Sequence, residues 1–364
     1  MQNSLENKIT SYQLLCILTG TAVGIGLISL PNEVTQIAKQ NGWISVIIGG
    51  VYPLYLVYIA CILQKKFPDK NILQLSRQFL GTFLGNFLNL IFMSNFVLYT
   101  TAVASGLTIL LTTFIMYFMV PVRLLIFIVF LGAISSYSGL KPLASINELI
   151  FIFTIVVSLI SLVALGKGKL INVLPIFDLN TKLLLRGSIE SCFSYGGTEI
   201  IFLFYPLLSD KENFRSCALK GVLFIVILYS SLTFLTVYYC GIDLVKKSFW
   251  AVLIAAKSIE IPIINNFRFI FMFLWSIVNF KTISNNYFAS VFILQDLFKR
   301  SSIKKLSVII YPLIILISST YLNEESRRTF LKFIIPKYTL FNIAYLTIVC
   351  CMALIKKDGL NEKK

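Results

Sequence analysis

The sequence contains no histidine, and that absence removes several chemistries at once. Without imidazole there is no Ser-His-Asp triad, no histidine-ligated metal centre and no HExxH protease helix. Charge is also scarce, at 13% of the 364 residues, where a soluble domain carries about a quarter. Too little polar sequence remains for a separate water-soluble catalytic domain, so an enzyme is not expected. The seven cysteines (Cys16, Cys61, Cys192, Cys217, Cys240, Cys350 and Cys351) have no CxxC spacing and lie in or beside apolar segments. They read as small buried apolar side chains, with palmitoylation of Cys350 or Cys351 as an alternative. No pattern for a metal or another cofactor is present. Acidic residues number only 16 against 32 Lys and Arg, a net charge of +16. The basic residues fall mostly in short loops between apolar runs, where they suit anionic lipid headgroups better than nucleic acid.

What the chain has instead is apolar sequence: 57% hydrophobic residues and a mean hydropathy of +0.84. A bilayer span takes about 20 apolar residues, and ten candidate spans can be laid out: 12–30, 42–63, 84–119, 124–137, 143–165, 183–208, 218–239, 267–298, 306–321 and 338–355. The first is too long and glycine-rich for a signal-peptide core and lacks a small-residue cleavage pattern. A short apolar piece at 249–256 is expected to be a helical loop against the outer face. The predicted fold is an all-α integral membrane protein with two five-helix halves, 12–165 and 182–355, joined by an outer connection at 166–181. Segments 1–11 and 356–364 are expected to be cytoplasmic, because the basic connection at Lys65 and Lys66, with Lys70 and Arg77, marks an inner loop.

Two spans are interrupted near their middles, and each opens one half. Thr21-Ala22-Val23-Gly24-Ile25-Gly26 is followed by Pro31, and Phe193-Ser194-Tyr195-Gly196-Gly197-Thr198 by Pro206. Five spans per half give the second half the opposite orientation, the layout of an inverted repeat with broken helices 1 and 6. A break exposes backbone groups that hydrocarbon cannot satisfy. The amide end of a half-helix suits a carboxylate, and the carbonyl end of the other suits an ammonium group. A ligand carrying both is an amino acid. The expected binding groups are the backbones of Ala22, Val23, Gly24, Ile25 and Gly26 and of Ser194, Tyr195, Gly196 and Gly197. Tyr99 and Phe280, on the third and eighth spans, are the candidate selectivity side chains. The alternative for Gly20 and Gly24 is a small-xxx-small packing motif.

The ordered set Gly24-Ile25-Gly26-Leu27-Ile28-Ser29-Leu30-Pro31, Asn41-Gly42-Trp43-Ile44-Ser45, Gly139-Leu140-Lys141-Pro142 with Glu148, and Phe193 to Glu199 resembles the B subunit of spore germinant receptors. That is the spore germination permease family, a branch of the amino acid/polyamine/organocation transporter superfamily. The family often carries an acidic residue where Asn41 stands here. The resemblance, over nearly the whole chain, implies a LeuT-type fold in the inner membrane of the spore. It also implies a small germinant as ligand and A-type and C-type (lipoprotein) subunits as partners. A proton-coupled amino acid transporter, and an ion or water conduit gated by partner subunits, start from the same cavity and remain alternatives.

Charges at span depth cost about 2.5 to 3.5 kcal/mol each on insertion scales. The candidates are Glu33, Glu148, Glu190, Glu199 and Lys281. Glu190 is expected either to be an intramembrane charge with a coupling role or to form a surface ion pair with Arg186 one turn away. In the resembled superfamily the first, fifth and eighth spans meet where some relatives bind sodium. Lys281 is therefore expected to stand in for that cation, paired with Glu148 or alternatively with Glu199; otherwise it snorkels to the inner headgroups.

Overall fold

The computed structural model describes residues 8–175, 180–257, 267–299 and 301–355. The first seven residues, the tail 356–364 and part of the central connection lie outside them. The first span is two helices, α1 (Ser11–Ala22) and α2 (Ile25–Ala38). Thr10 and Gln13 start α1 with a reciprocal capping box. The second span is α3 (Gly42–Gly49) running into α4 (Val51–Lys66), and the expected polar loop after it contains an extra helix, α5 (Ile72–Leu80). An Asn71–Gln74 capping box starts α5, which buries Ile72, Leu73, Leu75 and Phe79. Spans three to five follow as α6 (Thr82–Phe114), α7 (Pro121–Ser138) and α8 (Leu140–Ser161).

The sixth span is α9 (Thr181–Ser194), a break, and then a run of short turns about α10 (Ile201–Phe204). After it come α11 (Phe214–Cys240), the short helices α12 (Ile242–Lys247) and α13 (Ala251–Lys257), then α14 (Phe267–Leu297), α15 (Ile303–Ser319) and α16 (Glu324–Ile355). The helical loop expected at 249–256 corresponds to α13. The tenth span starts well before the expected residue 338, because Asn323 accepts from the backbone amides of Glu325 (2.9 Å) and Ser326 (3.3 Å) and sets a helix start there. Among the described residues, six helical stretches are long and apolar enough to cross a membrane by length and composition. The other expected spans are the two broken ones, the 17-residue α15, and α14, which buries Asn279, Lys281, Thr282, Asn285, Asn286 and Ser290.

The packing partners repeat across the two halves. The first span packs on the seventh (α1 on α11) and the sixth on the second (α9 on α3); the third packs on the eighth (α6 on α14) and the fourth on the ninth (α7 on α15). Exchanging the halves maps each of these pairs onto itself or another. The core is the bundle of α1, α2, the broken sixth span, α6 and α14, with α11 and α16 closing it.

The face that holds the start of α1 is the near side. Here Ile9 pairs with the backbone beside Leu208, the Ser11 amide donates to Asp210 Oδ1 (2.7 Å), and Arg77 binds Asp296 through both terminal guanidinium nitrogens (2.5 and 3.0 Å). Lys211 adds an ion pair to Asp69 at 2.5 Å. These ties close the near side beneath the two breaks.

Candidate ligand site between the two broken helices

Both breaks are built from glycines, for different steric reasons. Gly197 has φ +96°, and a Cβ there would meet the backbone of Thr21 at 2.9 Å, so the two breaks touch. At Gly196 a Cβ would lie 1.7 Å from the Tyr99 hydroxyl oxygen, and at Gly24 it would meet Thr282 at 3.0 Å. Gly26 differs: nothing lies within 4 Å of where its Cβ would stand. It faces open space.

That space is a cavity of about 810 Å³, open mouth included, lined at its floor by Ala22, Gly24, Ile25, Gly26, Ser194 and Gly196. Tyr99 and Phe193 stand on its walls, and Glu33, Glu190, Arg327, Arg328 and the exposed Lys332 surround its far-side half. Nine of the expected site residues thus converge. Val23, Tyr195 and Gly197 are packed behind the floor; Tyr195 turns its hydroxyl to Val46 O (2.8 Å) and stacks on Tyr229. Phe280 does not reach the cavity wall, because Thr282 is the residue of α14 that faces it and two positions along a helix turn the side chain about 200° away.

The two ends of the breaks differ in a way the sequence did not reveal. The carbonyl ends are already engaged: Tyr229 donates to Ala22 O (2.8 Å) and reaches Ser194 O (3.3 Å), while Thr282 Oγ1 lies 2.6 Å from Val23 O and 2.9 Å from Gly20 O. The amide end is not. Ile25 and Gly26 carry the donors that every helix leaves unpaired at its start, and no side chain caps them.

Glu199 does not face the cavity. Its carboxylate accepts from Tyr52 of α4, from the Gly197 amide (2.7 Å) and from Asn342 of α16 (3.0 Å), so it fastens the sixth-span break to the second and tenth spans. Lys281 is fully buried, and its ammonium donates to Thr154 Oγ1 on α8 at 2.5 Å. The expected pair with Glu148 is not formed, nor is one with Glu199, and Lys281 does not snorkel to the near side. Side chains tilt toward their helix N-terminus, and α14 starts on the far side, so the ammonium is carried toward Thr154. Glu148 lies six residues nearer the start of α8, about 9 Å away by helix rise, and accepts instead from Gln13 Nε2 (3.1 Å). Gly20 makes room for this layer: a Cβ there would meet Asn147, Asn285 and Lys281 at 2.3, 2.9 and 3.2 Å.

The charges at the mouth were only partly anticipated. Arg327 and Arg328 are 4% and 9% exposed and share Glu324, at 2.8 and 2.6 Å; Arg328 also donates to Asn32 Oδ1 (3.0 Å) and lies 3.8 Å from Glu33. The sequence layout leaves these residues between the ninth and tenth candidate spans, at 306–321 and 338–355. The missed signal was Asn323-Glu324-Glu325 followed by Arg327-Arg328, a cap and acidic first turn with basic residues three and four places on. The expected Arg186–Glu190 pair is absent among the described residues; Arg186 is exposed, while Glu190 is half-buried at the cavity.

A helical membrane protein whose first and sixth spans break at one central cavity has the architecture of LeuT-type transporters. Solved structures agree: MhsT in complex with L-phenylalanine superposes with a TM-score of 0.65 at 13% identity, covering 95% of this chain and 88% of that one. A Na+-coupled sialic acid symporter in a substrate-bound outward-open state gives 0.63 at 12% identity, covering 96% and 78%. The chain belongs to the spore germination protein family, whose model matches residues 8–327. Among its relatives are spore germination protein YndE of Bacillus subtilis (strain 168), 24% identical with 88% of this chain and 90% of that protein covered, and GerQB of Bacillus cereus, 22% identical with 90% of each covered. It is therefore an integral membrane protein of a germination family, built on a transporter fold.

Proposed function

We propose that this protein is the membrane subunit of a spore germinant receptor and binds a small nutrient, an amino acid, in the cavity between the two broken helices. The observation that carries the reading is the amide end of α2, uncapped and opening at Gly26 onto empty space. A carboxylate placed there gains the helix-start donors and the positive end of the dipole. In this reading the repeats span 12–165 and 182–355, both chain ends are cytoplasmic, and the closed near side with an open far side is the state that accepts ligand from outside. Lys281 joins the fifth and eighth spans through its buried bond to Thr154. Rearrangement of the repeats on binding, driven by a difference in affinity between two conformations, would pass the signal to A-type and lipoprotein C-type partner subunits in the spore inner membrane.

A proton-coupled amino acid transporter is the second reading, favoured by the symporter fold and by the fully buried carboxyl of Glu199 beside the break. One experiment separates the two. Spores lacking the gene are exposed to single amino acids, and uptake is measured in growing cells. The receptor reading predicts loss of germination to at least one amino acid with uptake unchanged. Normal germination with lost uptake of one amino acid would overturn it in favour of the transporter.

A further inference from the structure

Three observations concern the polarity of the cavity rather than its existence. First, the single Tyr229 hydroxyl hydrogen serves Ala22 O (2.8 Å) ahead of Ser194 O (3.3 Å), so the break offers acceptors for one ligand ammonium, the α-ammonium, and not for a second cation. Second, the cationic groups at the mouth are mostly spoken for: Glu324 holds both Arg327 and Arg328, which also bind Ala102 O, Asn32 and Phe249 O. Third, Glu190 lines the cavity half-buried and has neither a hydrogen bond nor an ion pair among the described residues, and Glu33 nearby has only the 3.8 Å approach of Arg328.

The helix directions bring these two carboxylates together. Glu190 lies one turn before the end of α9 at the floor, about 6 Å out, and its side chain tilts outward toward the start of that helix. Glu33 lies seven residues beyond Gly26 on α2, about 10 Å out, and its side chain tilts back toward the floor. Both carboxylates thus fall about 8 to 10 Å above the uncapped amides of Ile25 and Gly26.

We propose that Glu190, supported by Glu33, is the subsite for a cationic group at the distal end of the ligand, so that the site selects an amino acid with a positively charged side chain, of the length of lysine, ornithine or arginine. The inference rests on the amino acid reading above and narrows it. The ligand's carboxylate occupies the α2 amides, and its side-chain ammonium or guanidinium meets Glu190. The competing group is Lys332, exposed on the same rim and forming no ion pair with Glu190 among the described residues.

The test is equilibrium binding of labelled L-lysine and of L-norleucine, its neutral analogue of similar length, to the full-length protein in lipid nanodiscs. The expected result is lysine at least ten-fold tighter than norleucine, with Glu190→Gln bringing the two within about two-fold and Lys332→Met preserving or widening the gap. Pentylamine, which lacks the carboxylate, should bind to neither protein. Glu33→Gln is the second variant: it should narrow the gap partially and serves if Glu190→Gln does not fold. Norleucine bound as well as lysine by the unaltered protein, or a lysine preference unchanged in both variants, overturns the cation subsite while leaving the amino acid reading intact. Binding of neither amino acid overturns the cation subsite, and the germination response to single amino acids then decides the amino acid reading separately.

Discussion

Gly26 and Gly196 are both glycines at helix breaks, yet a methyl group has opposite consequences at the two. At Gly26 it would enter the cavity without touching protein; at Gly196 it would collide with the Tyr99 ring and hydroxyl. Gly196→Ala should therefore destabilise the protein by about 1 to 3 kcal/mol, the usual range for overpacking, whereas Gly26→Ala should leave the folded state nearly unchanged. Thermal unfolding of the purified proteins checks this: a lower Tm is expected for Gly196→Ala alone, and equal losses would refute the distinction. The glycines themselves were legible in the sequence as pairs in mid-span. Which of them faces the cavity was not, because helical facing depends on how a helix is rotated in the bundle. The same limit explains Phe280, which lies off the cavity, and Lys281, whose reach depends on the tilt of its side chain as well as on its backbone depth. Replacement of Lys281 by Met should remove the buried bond to Thr154 and loosen the contact between α8 and α14. Hydrogen exchange should rise in both segments, and unchanged exchange would mean the bond contributes little.

At the scale of elements, the tenth span shows where hydropathy fails. A window tuned to apolar runs begins only at residue 338, since Glu324, Glu325, Arg327, Arg328, Lys332 and Lys337 look like loop charges. In the protein those residues form the first turns of α16: Glu324 pairs internally with Arg327 and Arg328, while Glu325, Lys332 and Lys337 stay exposed. Removing one partner of such a buried cluster leaves an unpaired charge, which costs about 3 to 5 kcal/mol. Glu324→Gln should accordingly release two arginines and unwind the start of α16, seen as faster hydrogen exchange over 324–335. Protection equal to that of the unaltered protein would contradict the assignment of Glu324 as the shared anchor. The broken first and sixth spans were visible beforehand because glycine pairs and following prolines are local signals. The clips that hold the breaks, Tyr229 and Thr282, come from other spans and carry no local signature.

For the whole molecule, the ten-span layout and the exchange symmetry of its packing followed from span counting, while the closed near side did not. That closure depends on a few polar ties between segments far apart in sequence, Arg77 with Asp296 and Lys211 with Asp69. Asp296→Asn should weaken the closure and raise hydrogen exchange in the 198–207 half of the sixth span; no change there would mean the remaining ties suffice. The central claim is that ligand occupies the space in front of Gly26. The most direct measurement is the amino acid germination response of spores carrying Gly26→Val, with membrane insertion and protein level checked by immunoblot. The account predicts a normally inserted protein and an abolished response. A response equal to that of the unaltered protein would contradict it.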